Sequence, residues 1–222
     1  MIITHYGGHF IKIAQGDMVI AANPFGKGSS RKPIRFGARI GLVSMNHKDM
    51  NGVENLSHGD KVPFVISGPG EYEIGGIAIS GFLSPKPVGQ KGLFNTIYTI
   101  ELEGVRLCLL GMLSSPELSA ELIEGIGEVD VLFVPVSGGD WLSPADAGKI
   151  AVALDAKLII PLAFDDGGLT ASNLMAGDRR LKLFLKEAGA EGTRPLEKFV
   201  LKKKDIEGKE GEVVVLDAIS HA

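Results

Sequence analysis

The stretch Gly41-Leu42-Val43-Ser44-Met45-Asn46-His47-Lys48-Asp49-Met50-Asn51 runs an apolar segment straight into a histidine, an aspartate and two methionines. A short apolar run bounded by turn residues reads as a buried strand, which fits residues 39–44. Residues 47–60 read as polar loop. Taken alone, His47-Lys48-Asp49 is the pattern of a solvated loop, so its meaning depends on what surrounds it.

Upstream, residues 2–4, 9–14 and 18–22 are short apolar or alternating runs, with Gln15-Gly16-Asp17 as a hairpin turn. Residues 23–38 hold glycines, prolines and basic residues and predict a mobile loop. Downstream, strands are expected over 61–66, 71–74 and 76–82 around the Gly68-Pro69-Gly70 turn. A second Gly/Pro loop (84–93) leads to a hairpin of 95–102 and 105–110 over Glu103-Gly104. Helix and strand then alternate. Residues 116–123 predict a helix capped by Ser114 or Ser115, and 143–154 a helix capped by Ser143 with Pro144 following. The longest helix is expected over 172–188. Strands are expected at 129–134, 157–161, 199–203 and 213–216. A strand-rich half followed by alternation indicates layered α/β structure, in one domain spanning residues 1–222.

Composition narrows the chemistry. The 222 residues include five histidines, one cysteine and 30 glycines. A single Cys108 excludes an intramolecular disulfide framework and any zinc site built on several thiolates. Net charge is -4, with no global basic field for nucleic acid. No export signal and no apolar run of membrane-spanning length are seen, so the expected compartment is the cytoplasm, with no membrane partner. Cys108 sits in an apolar strand, where a thiol is inert. No serine has a Gly-x-Ser-x-Gly context. Gly138-Gly139 is a turn, because no phosphate-loop lysine follows. The basic residues of 27–39 and 202–204 read as solvated faces.

In register, residues 45–50 resemble the His-x-His-x-Asp-His signature of the metallo-β-lactamase superfamily. Met45 stands at the first histidine, Met50 at the last, and His47 and Asp49 match. Residues 1–13 resemble the family's opening strand, glycine turn and second strand. Ala22-Asn23-Pro24-Phe25 is similar to its Ile-Asp-Pro-Phe. Residues 67–74 resemble a segment of the UlaG-like branch of predicted zinc-dependent hydrolases. Leu109-Leu110-Gly111-Met112-Leu113 resembles that branch's His-Leu-Gly-Asp-Leu. Residues 129–136 resemble its next strand, and Ile159-Ile160-Pro161-Leu162-Ala163-Phe164 its Ile-Pro-Met-His-Tyr. The resemblance implies a four-layer αββα sandwich and a site for two zinc ions.

The departures fall on that chemistry. The implied ligand positions read Met45, His47, Asp49, Met50, Leu109, Met112 and Ala163, and five of these seven cannot serve as ordinary zinc ligands. Without the metal-activated water no catalytic residue is expected, and no cofactor. Methionine is flexible and apolar and fills irregular gaps, so three thioethers predict an emptied pocket repacked as core. His47 and Asp49 are then expected to pair with each other or with an arginine. The resulting reading is a non-catalytic binding, regulatory or structural protein. An alternative is a hydrolase with an altered ligand set, using His47 and Asp49 helped by Asp165 and Asp166. A second is a soft site of methionines and His47 suited to copper(I). His9, Asn23, Asp165 and Asp166 are expected at the pocket rim, His9 as a strand residue. His58 and His221 are not expected as ligands. Partners are not specified, and self-association through exposed strand edges is compatible with the sequence.

Overall fold

Two β-sheets pack face to face through a core of isoleucine, leucine and valine. The computed structural model describes residues 1–60, 62–85, 93–137, 141–164 and 179–219. The first sheet is built from β1 (Ile2–His5), β2 (Ile11–Gln15), β3 (Met18–Ala22), β4 (Ile40–Leu42) and β5 (Phe64–Ile66), with β12 (Phe199–Val200) closing one edge. Its order is β12-β1-β2-β3-β4-β5. The second is built from β6 (Gly70–Ile74), β7 (Ile77–Leu83), β8 (Thr96–Leu102), β9 (Val105–Leu109), β10 (Val131–Pro135), β11 (Leu158–Leu162) and β13 (Glu212–Val213). Its order is β13-β11-β10-β9-β8-β7-β6.

Both sheets are mixed. Strands linked by tight turns pair antiparallel, as β1 with β2 and β8 with β9 do. Those linked by longer crossovers pair parallel, as β3 with β4 and β10 with β11 do. Alternation along the strands sorts side chains between faces. On β3, Ile20 and Ala22 turn inward to the inter-sheet core, which also takes Ile3, Ile13, Ile40, Tyr98, Leu109, Phe133 and Ile160. Ala21 turns outward.

The two outer faces are covered differently. Helices α1 (Ala120–Ile126), α2 (Pro144–Ala153) and α3 (Arg179–Glu187) lie on the second sheet. They bury Ile126, Ala147, Ile150, Leu181 and Phe184 against it. On the first sheet the covering layer is the 23–38 segment and a 3-10 turn, Val53–Leu56. Here Phe25, Ile34, Ala38 and Leu56 pack on Tyr6, Phe10 and Ala21. The Gly/Pro-rich segment is therefore a packed layer and not a free loop. Its apolar residues, spaced among turn residues, pay for their own anchoring.

Three sequence expectations are corrected. Helix α1 begins four residues later than expected: Ser119 is the cap, its hydroxyl accepting from Leu122 N at 3.2 Å. Ser115 instead closes a local turn, accepting from Glu117 N at 3.3 Å. His9 lies in the turn between β1 and β2, before the strand starts. The strand expected over 199–203 ends at Val200, and Lys203 starts a 3-10 turn, Lys203–Asp205. Of the helix expected over 172–188, residues 172–178 lie outside the described residues, as do Asp165, Asp166, Gly138, Gly139 and His221. Among the described residues no helix is long and apolar enough to cross a membrane.

Candidate functional site

The C-terminal ends of β1, β3 and β4 share one end of the first sheet, as their pairings require. Those of β9, β10 and β11 share one end of the second. Hydrogen bonds across the sandwich show that these are the same rim. Thr96 N donates to Ser44 O at 2.8 Å and Ala163 N to Gly8 O at 3.0 Å. The loops after β1, β3, β4 and β9, and Ala163 directly after β11, therefore meet there, where scaffolds commonly carry function.

Polar side chains buried at the rim hold these loops. Asn23, 2% exposed, accepts from Ser44 N through Oδ1 at 2.8 Å. It sits at φ 55°, a conformation asparagine tolerates better than most residues. Asn95, fully buried, donates from Nδ2 to Leu110 O at 2.9 Å and accepts through Oδ1 from Met112 N at 2.8 Å. Tyr98 donates its hydroxyl to Val43 O at 3.1 Å, and burial pushes that hydroxyl's pKa up, so it stays a donor. Gly111 has φ 58°, and a Cβ there would stand 2.3 Å from Asn95 Oδ1. Gly52 lets the end of the His47 loop close onto the segment after β3. Its N–H donates to Pro24 O at 2.8 Å, and a Cβ would stand 1.9 Å from Phe25 O.

On this frame Met45, Met50 and Met112, 1%, 0% and 7% exposed, form a hydrophobic cluster of their own, edged by Leu93 and Trp141. His47 and Asp49 lie on the same loop but half-exposed. Asp49 N donates to His47 Nδ1 at 3.3 Å, and His47 Nδ1 lies 3.6 Å from Asp49 Oδ2. The pairing expected from the sequence is present, at the surface. Asp49 Oδ1 is buried without a hydrogen-bond partner among the described residues. Leu109 turns into the inter-sheet core. Ala163 is buried at φ 57°, a strained backbone for alanine. His9 is buried in the glycine turn that accepts the Ala163 N–H through Gly8. His58 is exposed.

The structure brings together the three methionines and, beside them in sequence, His47 and Asp49. Asn95, Tyr98 and Gly111 were not singled out as site residues by sequence reasoning. Asn95 stands ahead of an apolar strand, where nothing in the local pattern says which backbone it will face. Cys108 is fully buried, and desolvation pushes its thiol up to about 12, so it is not a nucleophile.

The comparisons with known proteins agree with this architecture. Residues 2–163 match the family model described as "Beta-lactamase superfamily domain". A predicted zinc-dependent hydrolase of the metallo-beta-lactamase superfamily from Thermotoga maritima is 28% identical, with TM-score 0.75 and 97% of each chain covered. A predicted metal-dependent hydrolase from Parabacteroides distasonis is 13% identical (TM-score 0.64), covering 98% of this chain and 93% of that one. Igni18, a metallo hydrolase from the archaeon Ignicoccus hospitalis, is 14% identical (TM-score 0.60), covering 90% and 99%. No curated protein matches the chain. The fold is the metallo-β-lactamase α/β sandwich. The chain belongs to the beta-lactamase superfamily.

The metals that the family implies do not fit the residues present. Zinc takes imidazole, carboxylate or thiolate donors, usually three or more from protein. Among the described residues no group of three or more His, Cys, Asp or Glu is placed to hold an ion. At three of the implied ligand positions the buried side chains are thioethers instead.

Proposed function

We propose that this chain is a non-catalytic member of the superfamily, from its UlaG-like branch, in which a former metal pocket is filled by methionine. It acts as a binding, regulatory or structural protein. The observation that carries this reading is the separate buried cluster of Met45, Met50 and Met112. Each stands where the resemblance puts a histidine or the bridging aspartate. A cluster of three apolar side chains leaves no donor to polarise a water or a carbonyl. Ala163 fits the same history: the strained backbone at the third motif persists, while the side chain it carries has no chemistry.

One observation favours a second reading, a hydrolase with an altered ligand set. The buried Asp49 Oδ1 has no partner among the described residues, as a carboxylate oxygen awaiting an ion would. Elemental analysis of protein purified without chelator separates the two. The proposal expects zinc, manganese and iron far below one per chain. Two bound ions per chain would overturn it and favour the hydrolase. A restored variant tests the mapping itself. Met45→His, Met50→His, Leu109→His, Met112→Asp and Ala163→His together are expected to confer zinc binding. A folded variant that binds none counts against the register.

A further inference from the structure

We infer that Met45, Met50 and Met112 form a thioether site for a soft monovalent cation, with copper(I) as its ligand. The inference rests on the reading that the hard-metal site is lost. It adds that the replacement kept a metal-binding capacity of a different kind. Thioether sulfur is soft and uncharged. It binds zinc, manganese or magnesium poorly and selects copper(I), which is satisfied by three such donors without any carboxylate to balance charge.

Three features of the cluster fit such a site. The first is segregation. The two larger core clusters are dominated by isoleucine, leucine and valine, with Met1 as their one buried methionine among the described residues, whereas here the buried members are methionines alone. Three of the chain's six methionines converge on this point. The second is fixation. The backbone on either side of the cluster is pinned by buried polar side chains, Asn23 to Ser44 N at 2.8 Å and Asn95 to Met112 N at 2.8 Å. These bonds hold the loops whatever side chains the cluster carries, and they also fix the backbone next to Met45 and at Met112 before an ion arrives, as a metal site requires. The third is access. Met112 is the most exposed of the three at 7%, and the loop carrying Met45 and Met50 reaches the surface at half-exposed His47.

His47 is not needed in the ligand set. It is half-exposed and its Nδ1 is engaged by Asp49 N at 3.3 Å, whereas the donors of the buried cluster are the three methionine sulfurs. The site is therefore written with three sulfur donors. No oxidation state changes on binding: copper enters and leaves as copper(I), and no proton is displaced from a thioether.

The experiment supplies copper(I) anaerobically to the full chain in competition with a chromophoric copper(I) chelator. The expected result is one copper(I) retained per chain, weakened about tenfold or more in Met45→Leu and in Met112→Leu. Leucine keeps the volume and removes the sulfur, and matching thermal melts establish that both variants fold. Silver(I), which is redox-inert, is the second probe. In protein labelled at the methionine methyl carbons, one equivalent should move three of the six methionine resonances and leave the others in place. His47→Ala should bind copper(I) as the parent does. Equal binding by the parent and the triple leucine variant would overturn the inference, as would shifts at other methionines. Loss of binding in His47→Ala would also overturn it, by making the site imidazole-centred. The two proposals fail separately. A parent that holds neither copper(I) nor zinc removes this inference and leaves the non-catalytic reading standing. A parent that holds two zinc ions removes both.

Discussion

The rim of the sandwich contains two sets of side chains that obey different rules. Asn23, Asn95, Tyr98 and Gly111 hold the loops, and each is constrained in identity. Each makes a particular hydrogen bond or adopts a backbone conformation that few residues tolerate. Met45, Met50, Met112 and Ala163 stand at positions implied for metal ligands, whereas Leu109, also implied, turns into the inter-sheet core. They are constrained, in metal-free protein, chiefly in volume and polarity. The frame of a site and the chemistry of a site are therefore separable in this fold. Loop trajectory here depends on backbone partners supplied by Asn23, Asn95 and Tyr98, and not by the side chains at the implied ligand positions.

That contrast is breakable by substitution, and the largest effects are expected in the frame. Gly111→Ala forces a Cβ to 2.3 Å from Asn95 Oδ1 at φ 58°. Left-handed strain of about 1–2 kcal/mol and overpacking of about 1–3 kcal/mol predict a loss of about 4 kcal/mol in chemical denaturation. Asn95→Ala leaves Leu110 O and Met112 N buried without partners, and at about 1–3 kcal/mol for each such group the expected loss is about 3 kcal/mol. A loss below about 1 kcal/mol in either would mean that the frame is no more constrained than the cluster it carries.

The cluster should respond differently. In metal-free protein each of Met45→Leu, Met50→Leu and Met112→Leu conserves volume and apolarity, and the expected cost is under about 1.5 kcal/mol each. Because the three side chains touch one another, their costs are not expected to add. If any one of them cost as much as Asn95→Ala, the cluster would be as specific as the frame and the comparison would collapse.

The same division decides what could be read from sequence. The strands were legible because their signal is local: apolar runs such as residues 129–134 and 157–161 end at turns, whereas their assembly into two facing sheets was legible only through the resemblance. Helix α2 was legible because Ser143 and Pro144 mark one start. Helix α1 was misplaced because Ser114 and Ser115, followed by a proline, carry the same capping chemistry as Ser119, the residue that caps it. The covering role of residues 23–38 was hidden, since glycine and proline dominate the segment while the few apolar residues that anchor it, Phe25 and Ile34, follow no period. At the site, the convergence of three methionines was legible only through the register that the resemblance supplied. Asn95 was not legible at all. Its role depends on a carbonyl and an N–H fifteen and seventeen residues away, brought to it by the β8–β9 hairpin.

The smallest expected effect tests the contrast at its boundary. Ala163 stands at a position implied for a ligand, yet its backbone at φ 57° belongs to the frame, held by the bond from its N–H to Gly8 O. If the donor positions are free of functional demand, nothing requires a Cβ here, and the strain of holding alanine in this region is pure cost. Glycine relieves about 1–2 kcal/mol of that strain and loses about 0.5–1 kcal/mol to its greater freedom when unfolded. Ala163→Gly should therefore stabilise the protein by about 0.5 kcal/mol, a rise in Tm of about 1–2 °C for a chain of this size. Differential scanning calorimetry on matched samples resolves that shift. A fall in Tm would show that the Ala163 methyl group contributes packing that offsets its strain, and would place this position wholly with the frame.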